Sequence, residues 1–153
     1  MEKITSFTID HLKLRPGLYV SRKDAKGNVT VTTFDLRITI PNIELVIDNG
    51  SLHTIEHLGA TFLRNSIKKD DVVYFGPMGC RTGFYLLMFG DLLSEDIYSL
   101  VISMCDFIIE YEGEIPGASA KECGNYLQQD LKMAKHYIKK YKKELETCRR
   151  LRY

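Results

Sequence analysis

The chain is predicted to fold as a single α+β domain over residues 1–153, an antiparallel β-sheet with helices packed on one face. Three observations predict it. Short alternating or apolar runs are separated by glycine-containing turns, the pattern of hairpins. Three longer stretches repeat apolar residues every three or four positions, the pattern of amphipathic helices. Finally, 153 residues with 44% hydrophobic and 27% charged side chains make about one domain, large enough for a core without disulfide staples. Helices on one sheet face leave the other in need of cover, and a second copy related by a two-fold would supply it, so a homodimer is expected.

Residues 1–16 are polar and irregular and end at Pro16, which forbids helix continuation. Residues 18–22 and 29–34 read as two strands, joined by a turn carrying Lys26-Gly27-Asn28. Arg37-Ile38-Thr39-Ile40 alternates before Pro41, so it extends the second strand or starts another. The first helix is expected over about 52–65, with Leu52, Ile55, Gly59, Phe62 and Leu63 at helical spacing and Ser51 as its N-cap. Strands follow at 72–75 and 83–89, around the glycine-rich turn Gly76-Pro77-Met78-Gly79-Cys80-Arg81-Thr82-Gly83. A second helix spans 94–110, with Ile97, Leu100, Val101, Met104 and Ile108 as its stripe. The last helix carries a seam at Leu127, Leu131, Ala134, Ile138, Tyr141 and Leu145.

A formal net charge of +1 gives no global field that would recruit nucleic acid or a membrane. The longest apolar runs fall far short of a membrane span, and Met1-Glu2-Lys3-Ile4-Thr5-Ser6 lacks a signal-like pattern, so a cytoplasmic location is expected. The four cysteines, Cys80, Cys105, Cys123 and Cys148, show no Cys-x-x-Cys pair or regular spacing. Free thiols are therefore expected, available for ligation or catalysis.

The chemistry concentrates at His53-Thr54-Ile55-Glu56-His57. On a helix, two histidines four residues apart project from one face, one turn above the other, as two nitrogen ligands of a divalent metal require. Glu56 stands beside them as a proton carrier, in the His-x-x-Glu-His order of some zinc hydrolases. A solvated helix face with chance histidines is the alternative. A two-histidine site needs a third protein ligand. Cys123 is the informative candidate, because thiolate binds iron, zinc and cobalt, and a place just before the last helix would give it the N-terminal dipole; a buried cap cysteine is the other reading. Cys105 sits inside an apolar helix and reads as core. Cys80, in its tight turn, is either structural or a reactive thiol whose pKa Arg81 helps to lower.

His53-Thr54-Ile55-Glu56-His57-Leu58, Pro77-Met78-Gly79-Cys80-Arg81-Thr82-Gly83-Phe84 and Glu122-Cys123-Gly124-Asn125-Tyr126 together resemble S-ribosylhomocysteine lyase, the LuxS family. Ser6-Phe7-Thr8-Ile9-Asp10-His11 and Thr33-Phe34-Asp35-Leu36-Arg37 extend the resemblance, which spans residues 4 to about 130. It implies a homodimeric α+β enzyme with one divalent metal per subunit, held by His53, His57 and Cys123. The metal is Fe(II), with zinc or cobalt as replacements. It further implies cleavage of S-ribosyl-homocysteine to homocysteine and 4,5-dihydroxy-2,3-pentanedione, the autoinducer-2 precursor, with Cys80 and Glu56 as the acid–base pair. Ser6, His11 and Arg37 match positions that hold the ribose in sites assembled at the dimer interface, and Arg64 matches a position near the homocysteine part. The chain departs from the family pattern at Phe75-Gly76 and over residues 43–49.

Two other functions fit parts of the sequence. A zinc metallohydrolase of the His-x-x-Glu-His type would use Glu56 to activate water and would have no need of Cys80. A nucleic-acid-binding module would rest on the basic run from Lys132 to Arg152, which Glu144 and Glu146 interrupt and which lacks an aromatic stacking platform.

Overall fold

The computed structural model describes residue 4 and residues 7–153. The elements follow the order β1 (Gly17–Lys26), β2 (Val29–Arg37), α1 (Asn49–Arg64), β3 (Val72–Pro77), β4 (Gly83–Phe89), α2 (Ser94–Glu110) and α3 (Leu131–Cys148). The four strands form one antiparallel sheet in the order β1-β2-β4-β3. This is the α+β class that the sequence predicts.

The register explains which residues face the helices. Leu18 pairs with Leu36 and Leu36 with Phe84, while Val20 pairs with Phe34 and Phe34 with Leu86. Alternation along each strand puts these side chains on one face, where they join Ile55, Leu58, Val101, Ile108, Ile138 and Tyr141 of the three helices in a single core. Phe84, 0% exposed, sits in the middle of it and stacks on Phe75 with ring centroids 5.1 Å apart. Phe84→Ala should therefore cost about 3–5 kcal/mol of stability, read as a lower midpoint in urea unfolding.

The opposite face carries Tyr19, Thr33, Asp35, Arg37, Tyr74, Tyr85 and Leu87, and no helix among the described residues covers it. A bulge between Val72 and Tyr74 sets this division in β3, because Val72 pairs with Met88 but Tyr74 pairs with Leu87. The extra residue turns Tyr74 outward and Phe75 inward. There the Phe75 ring lies against Gly59 of α1, where a Cβ would sit 2.4 Å from its Cε1.

Several boundaries differ from the expectations, each for a physical reason. The hairpin strands β1 and β2 are longer than predicted, because backbone pairing continues out to Lys26 and Val29 at the turn. β2 stops at Arg37, beyond which the Ile38 and Thr39 N–H groups both donate to Thr82 O. The N-cap of α1 is Asp48, not Ser51: the Asp48 carboxylate accepts from Ser51 N at 2.9 Å and from Ser51 Oγ at 2.6 Å. The helix consequently begins three residues earlier, at Asn49 rather than at residue 52. At the other end, Leu127 is no part of the α3 seam. It is 79% exposed, and Asp130 starts the helix by accepting from Met133 N at 2.9 Å. No helix among the described residues is long and apolar enough to cross a membrane.

Candidate metal centre and acid–base residues

The buried stripe of α1, Thr54, Ile55, Leu58, Gly59 and Leu63, faces the core. His53, Glu56 and His57 fall on the adjoining face and line an open cavity of about 510 Å³ together with Ala60, Thr61, Phe75, Pro116, Gly117 and Cys123. His57 Nε2 lies 2.9 Å from His53 Nε2, and Cys123 Sγ lies 3.4 Å from the same His53 atom. All three candidate ligand atoms lie within 4.8 Å of one another.

The other ring nitrogens decide what this cluster can hold. His57 Nδ1 is 2.7 Å from Pro116 O, and His53 Nδ1 is 3.1 Å from Gln128 O. A carbonyl oxygen only accepts, so the His57 ring carries its proton on Nδ1 and turns the Nε2 lone pair inward, whereas His53 Nδ1 also lies 3.2 Å from the Gln129 amide nitrogen. Two converging imidazole nitrogens with a cysteine sulfur beside them suit a shared cation of borderline softness, and the carbonyls are outer partners of the kind that orient such ligands. Gly117 makes room for this: its φ is +72°, and a Cβ there would lie 3.4 Å from His57 Nδ1.

Cys123 reaches the site through a turn rather than a helix end. Its N–H donates to Ser119 O at 2.9 Å, and Asn125 N–H donates to its sulfur at 3.5 Å. α3 begins only at Leu131, so the helix dipole expected to favour the thiolate is not at Cys123. The segment is instead pinned to α1 by Thr54. Its hydroxyl donates to Gln129 Oε1 at 2.7 Å and accepts from Asp130 N at 2.9 Å, and Asp130 N also reaches Gly50 O at 3.3 Å. Thr54→Val keeps the shape but removes both bonds. It should weaken metal binding by about 10–100-fold, measured by competition with a chromophoric chelator.

The second group of predicted residues gathers on the helix-free sheet face. Cys80 stands on the turn between β3 and β4, where Arg81 adopts φ +57° and donates to Met78 O at 2.9 Å. Cys80 Sγ is 3.1 Å from Thr82 Oγ1 and 3.9 Å from Arg37 Nη1. Burial alone would raise its pKa. Hydrogen bonds from the Thr82 hydroxyl and backbone N–H, with the Arg37 charge, outweigh it and hold the thiol below its ordinary value. The cation that serves Cys80 is thus Arg37 and not its neighbour Arg81, whose guanidinium donates to Asn49 Oδ1 at 3.1 Å.

Arg37 is buried, held by Asp35 Oδ2 at 2.6 Å and Thr82 Oγ1 at 2.5 Å. His11 places its Nδ1 2.9 Å from Ile9 O. Burial raises the Asp35 pKa, against the lowering effect of the Arg37 guanidinium and the Tyr153 hydroxyl. Asp35 and Thr82 were not foreseen, although Asp35 stands two residues from Arg37 in a strand and so on the same face. Arg64 is placed apart, donating to Val72 O at 2.6 Å and Val73 O at 2.9 Å. Ser6 lies outside the described residues.

Neither Cys80 nor Arg37 lines the cavity around the histidines. Of the other cysteines, Cys105 is buried in the core, which pushes its thiol up to about 12, and Cys148 is exposed at the end of α3. In the basic C-terminal run, Lys140 pairs with Glu44, Lys142 with Asp106 and Glu146, Arg150 with Glu144, and Arg152 with Glu95. Lys140, Lys142 and Arg152 thereby tie α3 and the tail to distant segments, while the Lys142–Glu146 and Arg150–Glu144 pairs are local.

Residues 4–150 match the family model described as S-Ribosylhomocysteinase (LuxS). The chain is 62% identical over 141 residues to the S-ribosylhomocysteine lyase of Finegoldia magna, covering 92% of this chain and 90% of that protein. It is 56% identical over 148 residues to the S-ribosylhomocysteine lyase of Clostridium acetobutylicum, covering 96% and 94%. Against that of Borreliella burgdorferi it is 58% identical over 142 residues, covering 92% and 90%. With its His-His-Cys cluster, its turn cysteine and a match over nearly its whole length, the chain belongs to the LuxS family of S-ribosylhomocysteinases.

Proposed function

We propose that the chain performs the reaction for which its relatives are named: it is a carbon–sulfur lyase that cleaves S-ribosyl-homocysteine to homocysteine and 4,5-dihydroxy-2,3-pentanedione. The observation that carries this reading is the convergence of His53, His57 and Cys123 beside Glu56, in a chain that also holds Cys80 as an acidified thiol. A metallohydrolase would need the first group alone.

The substrate carries its carbonyl at C1 and its sulfur on C5, and a thioether leaves only when a carbonyl stands two carbons away. Two aldose–ketose shifts therefore bring the carbonyl to C3 before the C5–S bond can break. Each shift removes a proton from the carbon beside the carbonyl and returns one to the neighbouring carbon. Cys80, as thiolate, takes and returns protons on carbon, and Glu56 serves the oxygens and the opposite carbon. In the last step a base removes the C4 proton, the electron pair forms the C4–C5 double bond, and homocysteine leaves as the thiolate. The resulting enol then collapses to the diketone. Ser6, His11 and Arg37 hold the ribose, and Arg64 stands toward the homocysteine end.

His53, His57 and Cys123 hold one divalent metal per subunit, Fe(II) in this reading, with zinc or cobalt able to replace it. When bound, it supplies a Lewis acid that stabilises negative charge developing on substrate oxygens.

The cavity around the histidines lacks Cys80, and a second copy of the chain completes it. Two copies pack through their helix-free sheet faces, where Tyr74, Tyr85 and Leu87 form an aromatic and apolar row around a groove. That pairing brings the Cys80–Arg37 group of one copy to the metal ligands of the other. The four free cysteines fit a reducing cytoplasm, and the diketone product would make the enzyme a source of autoinducer-2 for quorum sensing as well as a step in methyl-cycle recycling. Dialysis against a chelator should abolish thiol release from S-ribosyl-homocysteine, and Fe(II), zinc or cobalt should restore it. Turnover that persists in metal-free protein would refute the metal's part in this reading.

A further inference from the structure

Behind the acid–base group lies an anchor outside the stretch matched by the family model, which ends at residue 150. α3 ends at Cys148, and Arg149 turns the chain with φ at +43°, its N–H donating to Leu145 O at 3.0 Å. The tail then runs against β1, where Leu18 N–H donates to Arg150 O at 2.9 Å. The Tyr153 ring is thereby laid on Tyr19, with centroids 4.5 Å apart and planes 14° from parallel. Its hydroxyl donates to Asp35 Oδ2 at 2.9 Å.

Asp35 is 1% exposed and concentrates its hydrogen bonds on that one oxygen. Oδ2 accepts from Arg37 Nη2 as well as from Tyr153, while Oδ1 has no partner among the described residues. A buried carboxylate with half its acceptor capacity unused depends strongly on each donor that remains. Among the described residues Arg37 Nε also lacks a partner, and there the guanidinium is fixed by Asp35 and Thr82, with Cys80 next to the same Nη1. Burial and the adjacent Asp35 carboxylate push the Tyr153 phenol well up, so it stays a donor across the neutral range.

We propose that Tyr153 is a positioning residue of the acid–base site: by donating to Asp35, it fixes the Arg37 guanidinium against Cys80. This rests on the roles given to Cys80 and Arg37 above. Without the phenol hydroxyl, Asp35 keeps Arg37 as its one donor among the described residues, and the guanidinium shifts toward the carboxylate and away from the sulfur. The Cys80 thiolate then loses part of the cation that stabilises it. A purely structural role for Tyr153 would reside in the ring stacked on Tyr19, and Tyr153→Phe keeps that ring.

The test is the rate of iodoacetamide alkylation at Cys80, followed on its own peptide by mass spectrometry because Cys148 is also exposed. In Tyr153→Phe the pH–rate curve should move up by about half to one unit, so alkylation at neutral pH slows about three- to tenfold. In an Arg37→Lys background, whose ammonium cannot span Asp35 and Thr82, the same substitution should change nothing further. An unchanged Cys80 rate in Tyr153→Phe overturns the proposal. Equal slowing with Arg37 and with Lys at that position overturns it as well. Alkylation needs no substrate, so the result stands even where a separate turnover assay shows no thioether cleavage, which would instead refute the lyase reading.

Discussion

Cys80→Ala is expected to lose about 10²–10⁴ in turnover, the usual cost of removing a positioned acid–base group, while binding metal as well as the unaltered chain. Both halves follow from geometry. Within one chain Cys80 has Thr82 and Arg37 as its neighbours among the described residues and does not line the cavity of its own His-His-Cys cluster, so its removal leaves the ligand atoms where they are. What it removes is a thiol held below its ordinary pKa. The active form of such a base is the thiolate, so kcat/KM should rise with pH as Cys80 deprotonates, with a midpoint below that of a free cysteine. Thr82→Val takes away a hydroxyl hydrogen bond that lowers the pKa and leaves the burial that raises it. The midpoint should therefore move up. Near-normal turnover in Cys80→Ala would end its acid–base role, and a metallohydrolase would return to consideration.

His57→Ala should have the second large effect, by a different route. It removes one of three converging ligand atoms and leaves His53 and Cys123 as a two-donor site, too few to hold a metal in a closed or catalytic geometry. Metal content by elemental analysis should drop from about one per chain to near zero, and thiol release should go with it. Cys123→Ala should behave alike, since its sulfur is the third donor. The fold should survive both changes, because these side chains line an open cavity and the core residues of α1 are on its other face. Full metal content in His57→Ala would mean that the cluster is not the ligand set.

Much of this site was legible because it is local. The His53–His57 spacing needs only a helix, and the Gly-rich turn around Cys80 needs only the two flanking apolar runs. Strand β4 and helix α2 fall where their apolar patterns put them, since each pattern ends at a clear break. Features that depend on a distant partner were not legible. Ser51 looked like a cap because the stronger acceptor, Asp48, lies outside the periodic stretch. Leu127 fitted the α3 seam by spacing, but the segment before Asp130 is drawn to Thr54 of α1 instead. The Pro116 and Gln128 carbonyls that orient the histidines carry no side-chain signal at all. The bulge in β3 left no mark either, although it decides that Phe75 and not Tyr74 meets Gly59. Asp35 was the missed opportunity, since its place two residues from Arg37 in a strand already put the pair on one face.

The most direct test of the central claim is thiol release from S-ribosyl-homocysteine, followed with a thiol-reactive dye on anaerobically purified, metal-loaded protein. A steady release that disappears on chelation and in Cys80→Ala is the expected result. No release from fully metal-loaded protein would contradict the lyase assignment.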